Sequence, residues 1–328
     1  MKAGRILLVA VLVLAFVVFW HARPYQGFAG EVFVDIPHGT STGAIADLLA
    51  GAGVVRSRWD LLAARLVERG RVLQAGEYRF HEPAPPLEVY DRIARGDVFY
   101  YELIVPEGKN MFDIGASVEK LGLFNAGEFL AAARNPALIR DVDPAAPSLE
   151  GYLFPDTYRL SRHTTPAGLC RIMTAKFREV WHSLHASAGV HDTVTLASLV
   201  EKESKLAGER PEIAAVFTNR LRIGMKLDCD PTTIYAALLE DRYRGTIYRS
   251  DLDRDDPYNT YRYAGLPPGP IANPGLASIN AALRPAASGA LYFVLRPDGS
   301  GAHEFSNNIA AHEAATGKYR RGLQKRVR

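Results

Sequence analysis

One pattern occurs twice in this chain, and it restricts the first half to a small set of local folds. Ile36-Pro37-His38-Gly39, followed by Ile45, Leu49 and Gly53-Val54, returns 69 residues later as Val105-Pro106-Glu107-Gly108, Ile114, Val118 and Gly122-Leu123. In each copy an extended apolar pair meets a Pro-x-Gly turn. Apolar residues spaced by three and four then predict an amphipathic helix, and a glycine ends it. A second helix is predicted at Trp59-Asp60-Leu61-Leu62-Ala63-Ala64 and again at Glu128-Phe129-Leu130-Ala131-Ala132-Ala133. The first copy closes on the strand-like Ala75-Gly76-Glu77-Tyr78-Arg79-Phe80, before a proline cluster at Pro83, Pro85 and Pro86. With 48% apolar and 23% charged residues among 328, the chain is rich enough for a packed core and too apolar for a disordered one. Its length predicts two or three lobes.

Strand–helix–helix–strand in roughly 50 residues is the outline of a LysM-type carbohydrate-binding module. A small α+β packing unit without a ligand fits the same pattern. The expected class is therefore α+β: a membrane helix, a LysM-like small subdomain and a C-terminal α+β domain. The boundaries are 1–22 for the cytoplasmic tip and anchor, 30–100 for the subdomain, and 101–328 for the C-terminal domain. Residues 101–160 of the last hold the second repeat and a connecting segment.

The anchor rests on Ile6 to Trp20, fifteen apolar residues preceded by Lys2 and Arg5 and followed by His21 and Arg23. At ~1.5 Å per residue the strict run covers ~22 Å of a ~30 Å hydrocarbon core. Flanking small residues and snorkelling arginines bring it close to spanning. A cleaved signal peptide shares this charged start and short core, although no small-x-small site follows. In both readings the leading positive charges stay in the cytoplasm and the bulk of the chain lies outside.

The net charge of +3 is unevenly placed. The last eleven residues carry six cations and no acid, which leaves −3 for the rest (3 − 6 = −3). A body of that sign argues against nucleic-acid binding. The basic tail reads as a solvated end or as a contact with anionic lipid or polymer. Cys170 and Cys229, 59 residues apart, fit either one disulfide or two buried thiols. His303-Glu304 and His312-Glu313 lack the second histidine four residues on that a helical zinc site needs, so neither a metal nor a cofactor is expected.

Helical periodicity runs from Pro166 to about His185, and again from near Thr193 or Thr195 past Leu206, then over Pro211–Arg222 and Leu276–Leu283. A strand is expected at Ala290–Leu295, after stiff Gly-, Pro-, Asn- and Tyr-rich loops of a kind that lines binding sites. Within the helix around residue 200, the apolar stripe Leu196, Leu199, Val200, Leu206 and Ala207 has Glu203 at its centre. Glu201 falls on the more polar side, as a solvated carboxylate with Lys205 four residues on. A carboxylate among leucines finds a partner or rises in pKa. The partner reading is a buried pair of Glu203 with Arg210 or Arg220. The alternative is an acid kept protonated near neutral pH, as general-acid cleavage of a glycosidic bond requires.

Leu196-Ala-Ser-Leu-Val-Glu-Lys-Glu-Ser204, Val216-Phe-Thr-Asn-Arg-Leu-Arg-Ile-Gly-Met225, Asp230-Pro-Thr-Thr-Ile-Tyr235, Tyr258-Asn-Thr-Tyr261 and Gly265-Leu-Pro-Pro-Gly-Pro-Ile-Ala-Asn-Pro-Gly275 resemble the YceG-like family of endolytic murein transglycosylases. Glu150-Gly-Tyr-Leu-Phe-Pro-Asp-Thr-Tyr158, Tyr292-Phe-Val294, His303 and Phe305-Ser-Asn-Asn308 are similar to it too. The resemblance implies a lyase of cell wall biogenesis, held by one helix in the inner membrane with its catalytic part in the periplasm. Such an enzyme cleaves the MurNAc–GlcNAc β-1,4 bond within nascent peptidoglycan strands and leaves 1,6-anhydro ends. It implies Glu203 as the catalytic acid and then base. Glu209, Arg210, Asn219, Arg220 and Asp230 are supporting residues, and Tyr258, Asn259, Thr260 and Tyr261 sugar contacts. Peptidoglycan synthases are implied partners. Asp228-Cys229 and Glu313 depart from the family pattern, which puts any role of Cys229 in doubt. The competing function is a non-catalytic, membrane-tethered scaffold that binds peptidoglycan.

Overall fold

Alternate residues of a strand face the same side, and in Val32–Ile36 that side carries Val34 and Ile36, both buried. The computed structural model describes residues 11–12, 15–16, 18–20, 22–68 and 71–326. In it this segment, β1, pairs antiparallel with β2 (Gly76–Phe80), with Val34 opposite Tyr78 and Ile36 opposite Gly76. Between them lie α1 (Thr42–Gly51) and α2 (Arg58–Val67), and α3 (Pro86–Arg95) follows. Helix α1 starts where Ser41 Oγ accepts the Ala44 N–H at 3.3 Å, and it buries Ile45, Ala46 and Leu49. Those side chains join Leu61, Tyr78, Tyr90 and Ile93 in one core. A two-stranded sheet alone is marginal in water, whereas each buried Leu or Ile contributes about 1.5–3 kcal/mol. The helices therefore hold this unit, which runs to Tyr101.

The second copy of the repeat folds in the same order at the start of the other unit, Glu102–Arg328. It runs β3 (Tyr101–Ile104), α4 (Met111–Lys120), α5 (Ala126–Ala133) and β4 (Thr157–Leu160), with β3 paired to β4. Asn110 and Asn125 cap the two helices, each accepting from the N–H three residues on, at 2.9 and 2.8 Å. The Pro-x-Gly turns match as well: Gly39 sits at φ 79° and Gly108 at φ 76°, left-handed values that a side chain would strain.

The rest of this unit is α6 (Pro166–Ser183), α7 (Val190–Glu203), α8 (Arg210–Arg222), α9 (Asp230–Leu239), the single turn α10 (Arg249–Leu252), α11 (Leu276–Leu283), the antiparallel pair β5 (Tyr292–Leu295) and β6 (His303–Ser306), and α12 (Ile309–Arg326). Helix α7 is the axis: every residue from Thr193 to Glu201 is buried, and α8, α9 and α11 pack around it. Two motifs lock its surroundings. Asn273, fully buried, accepts the Gly151 and Leu153 N–H groups through Oδ1 at 2.8 and 2.9 Å. Its amide donates to Lys109 O and Glu150 Oε1 at 2.9 and 2.8 Å. Burial pushes the Glu150 carboxyl up to about 8, although the Met111 N–H donates to it at 2.9 Å. Ser198 Oγ of α7 accepts the Ile271 N–H at 3.1 Å.

Several expectations need correction. The helix around residue 200 begins at Val190 and stops at Glu203 rather than passing Leu206. Helices α3, α9 and α12 lie where no helix was expected, and β5 starts at Tyr292 rather than Ala290. Of the two readings left open for Cys170 and Cys229, the structure has the second, since both are free buried thiols. The proposed anchor, residues 1–22, lies in large part outside the described residues. Among the described residues no helix is long and apolar enough to cross a membrane.

Candidate active site

The end of α7 determines what its two glutamates do. Because the helix stops at Glu203, Leu206 and Ala207 do not continue its stripe, and both are exposed. Glu201, expected in solvent, is the buried one. Its Oε1 meets Arg210 Nη2 at 2.9 Å, and its Oε2 accepts from Gly275 N at 3.0 Å and Ser278 Oγ at 2.7 Å. Gly275 is the N-cap of α11, so a carboxylate sits where that helix presents unpaired N–H groups and positive dipole. Arg210 also reaches Glu107 at 3.2 Å. The buried Glu–Arg pair thus exists, but it belongs to Glu201.

Glu203 is half-buried and lines an open groove of about 400 Å³. Its Oε1 accepts a hydrogen bond from the Cys229 thiol at 3.3 Å. Burial pushes the Glu203 carboxyl above its ordinary 4.5. The thiol's hydrogen bond draws it back, the charge of Asp230 pushes it up, and His303 draws it down. Desolvation outweighs the hydrogen bond because S–H is a weak donor. The Cys229 thiol is itself raised well above 9.0, chiefly by burial and then by the facing Glu203, so it stays protonated and donates.

The groove wall opposite comes from α8, β5 and α12. Arg220 donates from Nε to Leu291 O at 2.6 Å and from Nη1 to Leu227 O at 2.9 Å, and its guanidinium lies over the Tyr292 ring at 5.2 Å. These bonds fix it as a wall residue with an ion pair to Asp228 at 3.7 Å, rather than as a partner of Glu203. His312 stacks on the same Tyr292 ring at 5.0 Å, and burial followed by the Arg220 charge pushes it below its ordinary 6.5. The imidazole is therefore neutral near pH 7. Tyr261 donates its hydroxyl to Asp230 Oδ1 at 2.6 Å, which puts a phenol and a carboxylate side by side on the rim.

The remaining expected residues support the groove from behind. Glu209 accepts from His303 N at 2.8 Å and pairs with its ring Nδ1 at 2.7 Å. Asn219 donates to Ser288 O and Ala290 O, at 2.8 and 3.0 Å. Of the four loop residues expected to touch sugar, only Tyr261 reaches the groove. Tyr258 packs on Tyr235 with ring centres 5.2 Å apart. Asn259 is buried and donates to Leu252 O and Arg254 O. Thr260 is buried too, and its Oγ1 accepts the Cys229 N–H at 3.0 Å. That bond places Cys229 against Glu203, so Thr260 acts through the thiol. Asp228 and Cys229 both line the groove, and Asp228 adopts a left-handed φ of 49°. Tyr292 and His312 were not singled out as wall residues; their signal was an aromatic strand and a histidine read only against metal spacing.

A second open groove, about 470 Å³, includes Lys202 and Pro231, the chain neighbours of Glu203 and Asp230, with Phe112, Tyr235 and Tyr243 further along. Glu203, its carboxyl raised above the ordinary range, shares its groove with Asp228 and Asp230 and with the aromatic side chains Phe217, Tyr261, Tyr292 and Phe293, an arrangement that can exchange a proton with a polar ligand bound there. The family model of the YceG-like family matches residues 34–318, and the chain belongs to that family. It is 30% identical over 309 residues to an endolytic murein transglycosylase of Bacillus subtilis, covering 88% of this chain and 84% of the relative. An endolytic murein transglycosylase of Streptococcus pneumoniae is 29% identical over 86% of this chain and 57% of its own length. The crystal structure of a yceG-like protein from Listeria monocytogenes aligns with a TM-score of 0.55 at 28% identity, over 87% of this chain and 98% of that one.

Proposed function

We propose that this protein is an endolytic lytic transglycosylase of peptidoglycan, with Glu203 as its acid and then its base. The observation that carries the reading is a carboxyl raised above its ordinary range in the wall of an open groove. The names of the Bacillus and Streptococcus relatives point to the same substrate. The protonated Glu203 donates to the bridging oxygen as the anomeric C1–O bond of MurNAc breaks, and the leaving strand departs with a free 4-hydroxyl. The C6 hydroxyl of the same sugar closes on C1, and its proton returns to the Glu203 carboxylate. Atoms balance without water, because the nucleophile is intramolecular and has a high effective concentration. A second carboxylate is therefore not needed to activate water, unlike in ordinary glycoside hydrolysis. Asp230 is already engaged by Tyr261, which suits a rim residue better than a base. A second open groove, lined in part by Lys202 and Pro231, the chain neighbours of Glu203 and Asp230, supports cleavage within a strand over trimming from its end.

Residues 1–22 are proposed as a single-pass anchor in the inner membrane, with both folded units on its outer side; the cations at Lys2 and Arg5 support that orientation. Product mass tests the reaction. Digestion of purified glycan strands is expected to release internal fragments whose MurNAc ends are one water lighter than reducing ends. Reducing ends alone would make the protein a hydrolase and overturn the assignment.

A further inference from the structure

Helix α2 is apolar on both faces, which one buried interface does not explain. Its inner face, Leu61 and Ala64, is part of the unit's core. Its outer face carries Trp59, Ala63, Leu66 and Val67, and Trp59, Leu66 and Val67 are 69%, 83% and 65% exposed. Exposed apolar side chains are ordinary when scattered, but here they are contiguous at helical spacing. Trp59 and Val67 line an apolar groove of about 410 Å³ with Leu87 of α3 and with Val18 and Ala22 from the end of the N-terminal apolar run. Its one charged lining residue among those described, Asp60, accepts the Ser57 N–H at 2.9 Å.

The surroundings identify what covers this face. Three arginines lie over aromatic rings beside it: Arg56 over Trp20 and Tyr25 at 5.5 and 4.9 Å, Arg58 over Trp59 at 5.8 Å, and Arg23 over Phe19 at 5.4 Å. Tryptophan and tyrosine with arginine at the end of an apolar run are the side chains that suit the headgroup layer, where the rings meet acyl chains and the guanidinium meets phosphate. The face is continuous with that run through Val18 and Ala22, and a monolayer-depth helix with an apolar side is a known way to bind an interface.

We propose that the outer face of α2, with Leu87, lies in the headgroup–acyl boundary of the bilayer that residues 6–20 enter, so that the first unit rests on the membrane instead of hanging from a tether. This rests on the anchor reading, and the test separates the two. Leu66→Cys, Val11→Cys and Arg249→Cys are made one at a time in the full chain, spin-labelled and reconstituted into phosphatidylethanolamine–phosphatidylglycerol vesicles. Both native cysteines are buried and do not compete for label. Collisions with lipid-soluble oxygen are compared with those of a water-soluble nickel chelate. The expected result is oxygen excess at positions 66 and 11, deeper at 11, and nickel excess at position 249, whose native side chain is 86% exposed. Nickel excess at 66 with oxygen excess at 11 overturns the surface and leaves the anchor standing. Nickel excess at both overturns both. A label at 66 shielded from both reagents and coupled to a second spin makes the face a contact between two copies and also overturns the proposal.

Discussion

Glu203→Gln is expected to leave the protein folded and to abolish strand cleavage. A positioned proton donor contributes about 10²–10⁴ in rate, and one group serves both proton transfers here, so the loss should be at least about 10³-fold. Glutamine keeps the shape and can still accept from the Cys229 thiol, but it supplies no proton. Stability should move the other way. Burial raises the folded-state pKa above 4.5, so the unfolded chain ionises more readily, and the native state loses stability as pH climbs from about 4.5 through the folded value. The amide removes that penalty. The variant should be at least as stable as the parent at neutral pH, with the difference fading below pH 4.5. Glycan digestion and thermal unfolding, run on the same preparations, check both halves. Undiminished cleavage by Glu203→Gln would place the chemistry on another group, whereas no cleavage by either protein would leave the non-catalytic scaffold as the better reading.

Glu201→Ala should be the most destabilising change near the site. It strands Arg210 beside a vacated carboxylate position and leaves the Gly275 N–H and Ser278 Oγ without the acceptor they share. Removing one partner of a buried ion pair costs about 3–5 kcal/mol. For a unit of this size that lowers the melting temperature by about 6–20 °C. Activity should fall with it, because the same carboxylate fixes the last turn of α7 to the starts of α8 and α11, and Glu203 is two residues on. Thermal denaturation followed by near-UV circular dichroism gives the number. A solvated glutamate paired only with Lys205 would cost no more than about 0.5 kcal/mol, and a shift that small would refute the anchoring role.

The contrast between these two glutamates marks what the chain reveals before it folds. The repeat was legible because each copy carries its own periodicity, turn and ending glycine within a short window, and both copies fold strand–helix–helix–strand. Leu276–Leu283 was legible for the same reason. Helix α7 was legible as a helix but not in its phase or its end: buried from Thr193 to Glu201, it has no exposed face along that stretch to set the phase, and its end is decided at Ser204, before the apolar pattern stops. The partners of Glu201 lie 9, 74 and 77 residues away, a separation no local pattern encodes. Pro86 was taken with a proline cluster, yet proline at the first turn of a helix is favourable, and it opens α3. The Tyr258–Tyr261 segment looked like a row of sugar contacts, but Asn259 and Thr260 spend their polar atoms holding the loop and Cys229 in place. Glu203 itself was singled out by a stripe that does not exist beyond the helix, while its place in the groove comes from α7 ending there.

The central claim is that the Glu203 carboxyl holds its proton above the ordinary carboxylate range. Carbon-13 NMR of glutamate-labelled protein, titrated with pH and assigned by comparison with Glu203→Gln, reads that group alone. A Glu203 signal that titrates above 4.5, together with an activity that declines as that signal ionises, is the predicted result. Titration at or below 4.5 would contradict it.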